Sequence, residues 1–144
     1  MRRLLLVGTL AMVSLGVMPG VAAGAGDFAA GGGNDGVGHF NFSAHQAQTF
    51  LATGHMSYTS PAQVVRAEVV CLNVQGNLAF ILGEIDQGKS SGVPAELVAF
   101  EVKDAPGADT FGIFFASSAL GCSLQPLSGA TVTLGNIVVH DNTP

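Results

Sequence analysis

Between residues 63 and 74 apolar side chains return at every second position: Val65, Ala67, Val69 and Cys71 share one face, and Arg66 and Glu68 take the other. That period belongs to a β-strand with one buried face, because successive Cβ atoms of an extended chain point to opposite sides. It recurs in shorter runs. In 39–44, Phe40 and Phe42 alternate with Asn41 and Ser43; in 54–59, Met56 and Tyr58 alternate with Ser57. Segments 78–85, 97–103, 110–116 and 131–140 are rich in Val, Ile, Phe and Thr and are bounded by Gly, Pro, Asn and Asp, which are turn-forming residues. Gly76 and Asn77 supply a turn between two of these runs.

Seven strands are therefore expected. No stretch after the first 26 residues keeps helical spacing over three turns, and the one weak helix candidate is 43–52, whose Ala, Gln and Leu would tolerate it. Short connections favour an all-β fold, a single antiparallel meander closed as a small barrel, with a β-sandwich as the alternative. A barrel removes edge strands, which suits a sparsely charged chain exposed to edge-to-edge aggregation.

The first 25 residues read differently. Arg2 and Arg3 precede an apolar run of 15 residues from Leu4 to Met18, then Pro19, Gly20 and small residues, the three-part layout of a secretory signal peptide. The run is shorter than the ~18 to 20 residues that span a bilayer. Cleavage after Ala23 or Ala25 would place small side chains where the peptidase needs them. Residues 26–38 are mostly Gly and Ala and read as a flexible arm that cannot bury enough apolar surface to offset the entropy of ordering. The β domain is expected over 39–144.

Removing residues 1–25 from 144 leaves 119, enough for one domain. The remaining basic residues, Arg66, Lys89 and Lys103, face ten acids, so the net charge falls from −5 to −7. A surface of that sign repels phosphate backbones and anionic lipid, which argues against nucleic acid and, after leader removal, against membrane partners. In an exported chain the two cysteines, Cys71 and Cys122, read most simply as one disulfide, the alternative being two free buried thiols. Their spacing does not fit a zinc or redox motif.

Several motifs invite a chemical reading and lack its context. Residues 83–90 match GxxxxGKS, but a phosphate loop must run into a helix, and Gly92 and Pro94 would break one. Glu84 and Asp86 would also stand where phosphates must be cradled, so the segment reads as a polar hairpin loop. Gly31, Gly33 and Gly36 satisfy GxGxxG without the strand before and the helix after that a dinucleotide site requires. His39, His45, His55 and His140 are the candidate metal ligands besides carboxylates; His39 and His45 share strand parity but lie roughly 20 Å apart if extended. Ser43 with His45, and Ser57 with His55, share a strand face, yet no GxSxG elbow exists. Asn41, Phe42 and Ser43 form a glycosylation sequon. No catalytic residue, metal ligand or cofactor is assigned from these patterns.

Four segments, 38–45 (GHFNFSAH), 71–77 (CLNVQGN), 109–111 (DTF) and 135–141 (GNIVVHD), together resemble a group of small exported proteins of high-GC Gram-positive bacteria. The resemblance spans roughly residues 39 to 141 and implies a bacterial source and an extracellular address. It implies no activity and no site residues. Residues 105–108 (APGA) look like a shortened form of a turn in that group.

The functional expectation is an exported, non-enzymatic β module used for binding or surface interaction outside the cell. The alternatives are a metal- or small-ligand-binding barrel that uses the histidines, and a small secreted hydrolase. Partner and oligomeric state stay open.

Overall fold

The computed structural model describes residues 26–48, 51–117, 121–123 and 129–142. The expected leader, residues 1–25, lies outside the described residues. The fold is all-β: β1 (Phe28–Asn34), β2 (His39–Gln48), β3 (Leu51–Thr59), β4 (Val64–Gln75), β5 (Leu78–Ile85), β6 (Leu97–Lys103), β7 (Thr110–Ala116), β8 (Ala130–Thr131) and β9 (Leu134–His140). They form one sheet in the order β8-β7-β6-β5-β4-β3-β2-β1-β9, every pairing antiparallel, curled into a half-barrel.

The two borders of that sheet meet through the chain itself. β8 pairs with β7 on one border and β9 pairs with β1 on the other, and only Val132 and Thr133 separate them. The outer edge of β9 is then capped by side chains rather than by a strand. Ile137 N–H donates to Asp109 Oδ2 at 2.9 Å and Val139 N–H donates to Asp104 Oδ2 at 3.2 Å, both carboxylates flanking the turn between β6 and β7. Two strand-edge donors are thereby denied to another chain.

The interior is built by the period-two faces. Phe40, Phe42, Met56, Tyr58, Val65 and Phe100 are among the side chains of one large cluster. Phe111 stands at its centre, parallel to Phe40 at a centroid distance of 4.0 Å and edge-on to Phe100 at 4.8 Å. Such ring pairs contribute about 1 kcal/mol beyond the area they bury. The predicted turn at Gly76 and Asn77 is present: Gln75 lies opposite Leu78, and Gly76 takes φ +60°, a left-handed conformation that costs glycine nothing.

Three expectations are corrected. First, residues 28–34 are not a flexible arm but a strand hydrogen-bonded on both sides, so folded structure begins well before His39. Poor in side chains, this strand is filled from its neighbour: a Cβ on Gly31 would stand 3.1 Å from the Phe42 ring and one on Gly33 3.2 Å from the Phe40 ring. The missing side chains are the space those rings occupy, and Ala29 is fully buried beside them. Second, 43–52 is not helical among its described residues, because β2 runs on to Gln48 and β3 begins at Leu51, while residues 49 and 50 lie outside the described residues. Third, Cys71 does not share the interior face of Val65, Ala67 and Val69. The register slips between Val69 and Cys71, so that Val69 opposes Gly83 while Cys71 opposes Leu82. This bulge at Val70 reverses the parity of everything after it. Leu72 and Val74 turn inward, and Cys71 joins Phe80, Leu82 and Ala99 in a second cluster on the outer face.

That reversal is what makes the disulfide possible. Cys71 bonds Cys122 with Cα atoms 5.9 Å apart, and Asn73, also turned outward, donates through Nδ2 to the Cys122 carbonyl at 2.9 Å.

Candidate functional site

The buried residues in the described chain are apolar or glycine apart from Tyr58, whose hydroxyl is held by Asp35, and Cys71 of the disulfide, so chemistry-bearing side chains must be sought on the outer surface. The register places all four histidines there, His39 and His45 on β2, His55 on β3 and His140 on β9. His140 and His45 stand opposite Phe28 from either side, with ring centroids 5.4 Å and 6.0 Å from the Phe28 ring. His55 lies opposite Ser43 on one side and Glu68 on the other. His39 lies between Asn34 and Thr59, its Nδ1 3.4 Å from Asn34 Nδ2. The four share a face but converge on no common point, and no group of three His, Cys, Asp or Glu side chains that could hold a metal ion exists among the described residues.

The serine and histidine pairs separate clearly. Ser43 Oγ is 3.1 Å from His45 Nε2, a genuine contact, whereas Ser57 Oγ donates to the Asn41 carbonyl at 3.4 Å. Ser43 sits in the middle of β2 with strands on both sides. Backbone donors around it are committed to the sheet, and the His45 ring is flanked by Phe28 rather than by an orienting carboxylate. Acyl transfer needs both an orienter and free donors for the oxyanion. Asn41 of the sequon is exposed on the same face.

Beside His55 the surface dips into an open depression of about 380 Å³ lined by Asn41, Ser57, Arg66, Glu68, Asp86 and Lys89 among others. It contains Lys89 of the GxxxxGKS match. There the chain forms a turn without a helix: Asp86 Oδ1 accepts the Gly88 N–H at 3.0 Å and Asp86 Oδ2 pairs with Lys89 Nζ at 2.9 Å. Ser90 Oγ accepts from the Arg66 N–H at 3.0 Å. The bond from Lys89 holds Asp86 below the usual carboxylate range, and that same bond raises Lys89. The lysine a nucleotide would need is thus held by its own loop's carboxylate, as the hairpin-loop reading expects.

Sequence reasoning missed the role of the aspartates. Each of the six takes at least one backbone N–H: Asp27 from Asn142, Asp35 from Val37 and Gly38, Asp86 from Gly88. Asp104 takes Val139, Asp109 takes Ala105 and Ile137, and Asp141 takes Gly76. For all but Asp86 the signal was present as Asp beside Gly, Ala or Asn at the ends of strands, which is where side-chain acceptors replace ladder partners. Asp35 Oδ2 also accepts the Tyr58 hydroxyl at 3.2 Å. Burial first, then the Asp35 charge and this bond, push the phenol above its ordinary 10.0.

No family model matches the chain, and no curated protein or solved structure matches it either.

Proposed function

We propose that this chain is an exported, non-enzymatic β module that acts by surface interaction outside the cell. The observation that carries the reading is the division of the molecule: an interior packed with Phe, Val, Ile and Met side chains, and an outer sheet face on which Ser, Thr, Asn and His are displayed without a converging catalytic set. A filled interior leaves the outside of the sheet as the surface on which a partner can be met. The leader-type sequence in residues 1–25 and the Cys71–Cys122 disulfide support an address outside the cytoplasm, where such bonds persist.

The test is a broad esterase, peptidase and glycosidase screen on the purified processed protein, run beside His45→Ala and His55→Ala. The expected result is no turnover above buffer. Turnover that disappears in either variant would replace this reading with the hydrolase one.

A further inference from the structure

The two borders of the sheet are finished differently. On β9 the edge donors of Ile137 and Val139 are taken by the Asp109 and Asp104 carboxylates. On β7 the two-residue β8 covers only Thr110 and Phe111, and among the described residues no strand lies beyond 112–116. Hydrogen bonds on either side of β7 fix which backbone groups this leaves open. The Asp109 carbonyl accepts the Val132 N–H at 2.9 Å and so points away from β6, whereas the Ala116 carbonyl accepts the Glu96 N–H at 3.2 Å and so points toward it. The pairing of β7 with β6 is regular throughout, and main-chain groups reverse direction from one residue to the next. Ile113 and Phe115 therefore aim both N–H and C=O away from β6, and no described residue pairs with them there.

We propose that this open edge is a dimer interface, on which β7 of a second copy adds antiparallel across a two-fold axis at Phe114. The proposal goes beyond the surface-module reading and does not rest on it. The segment is self-complementary about that residue: Gly112, Ile113, Phe114, Phe115 and Ala116 read small, large, Phe, large, small. Pairing about Phe114 sets Ile113 opposite the second copy's Phe115, and Phe115 opposite the second copy's Ile113, so the open donors and acceptors satisfy one another. Phe114, 44% exposed in the single copy, meets its own symmetry mate on the outer face, with Cβ atoms about 5 Å apart. Gly112 falls opposite Ala116, and their small side chains let the two chains turn apart beyond the pairing. On the inner face Ile113 and Phe115 pack against the core cluster while still partly exposed, so joining them across the axis extends each interior into the other.

The chemistry of the edge selects a second copy over a foreign strand. Residues 110–116 carry no charge, no proline and no bulge, the devices that ordinarily blunt a strand edge. Two copies of an acidic chain can therefore meet here without opposing like charges. A foreign strand would need no size symmetry about Phe114, whereas a two-fold interface requires the same patch to fit itself. Growth then stops at two copies: pairing uses the β7 edge of each, and the β9 border is already capped by Asp104 and Asp109.

The experiment is sedimentation velocity of the processed, disulfide-bonded protein from about 1 to about 200 μM, with amide exchange at Ile113 and Phe115 measured at both ends of that range. So short a pairing belongs at the small end of protein interfaces, and half-dissociation is expected on the order of 10 μM. The mass should rise from one copy to two and no further, with exchange at both amides slowed about fivefold at the higher concentration. Ile113→Pro deletes an N–H that faces away from β6 and so spares the molecule's own ladder. Phe114→Asp replaces an exposed side chain and sets two carboxylates against each other at the axis. Each should weaken association at least about tenfold, with the circular dichroism of the sheet unchanged. Val138→Asp, at an apolar position 41% exposed on β9, should leave association as it is. A single copy throughout the range, association that either edge variant leaves unchanged, growth beyond two copies, or an equal loss in Val138→Asp would each overturn the proposal.

Discussion

Replacing Asp109 with alanine tests whether the half-barrel is held shut by side chains at its seam. The Asp109 carboxylate accepts two backbone donors, Ala105 N–H and Ile137 N–H, each at 2.9 Å, and so ties the β6–β7 turn to the outer edge of β9. A hydrogen bond to a charged group contributes a net of about 1.5 to 3 kcal/mol, and partial exposure places both at the lower end, so the variant should lose about 3 kcal/mol. At a urea dependence of about 1.5 to 2 kcal/mol/M for a domain of this size, the unfolding midpoint falls by about 1.5 to 2 M. Asp109→Asn keeps one acceptor oxygen and should lose about half as much. Asp104→Ala removes one longer bond, 3.2 Å to Val139 N–H, and should cost only about 1 kcal/mol. The assay is urea unfolding followed by far-ultraviolet circular dichroism, with amide exchange at Ile137 as the local readout. An Asp109→Ala midpoint within about 0.3 M of the parent, or an Asp104→Ala variant less stable than Asp109→Ala, would refute the seam argument.

Three further outcomes follow from the core, the cystine and the lone phenol. Phe111→Ala removes the ring that stacks on Phe40 and meets Phe100 edge-on and should cost about 3 to 5 kcal/mol in the same urea assay. Cys71→Ser/Cys122→Ser opens a bridge across a sequence separation of 51 and should lower stability by roughly 4 kcal/mol on the chain-entropy model, measured without reductant. Tyr58 is the only tyrosine and there is no tryptophan, so absorbance near 295 nm follows one group. Its folded pKa is raised, so folding favours the neutral phenol: that contribution is present below the unfolded value of 10.0 and is lost as pH rises through the folded one. Asp35→Asn should shift the titration to lower pH, and a curve that does not move would sever Tyr58 from Asp35.

The all-β class and the meander were legible because alternation in β2, β3 and the first half of β4 is dictated by burial on one side, while β5 and β6, buried on both faces, read as short apolar runs bounded by turn residues. What escaped notice was carried by partners distant in sequence. β1 looks unfoldable by composition, and it becomes a strand because β2 and β9 pair with its two flanks while the β9 backbone and the Phe40 and Phe42 rings crowd the room above Gly31 and Gly33. The bulge at Val70 leaves no mark in composition, and a strict period of two put Cys71 on the wrong face while still pairing it correctly with Cys122. Of the histidines, parity predicted that His39 and His45 share a face; that Phe28 brings His45 and His140 to its two sides depended on a strand not recognised as one.

The route of residues 130–140 from β7 to β1 also governs the order in which the molecule can be completed. Phe28 meets His140 and Asn34 meets Leu134, so the first strand acquires its second neighbour only when the last strand arrives. Pairings of such high contact order are slow to form. A nascent chain lacking residues 134–140 has one whole flank of β1 unsatisfied, which keeps it from locking into the finished half-barrel until those residues arrive.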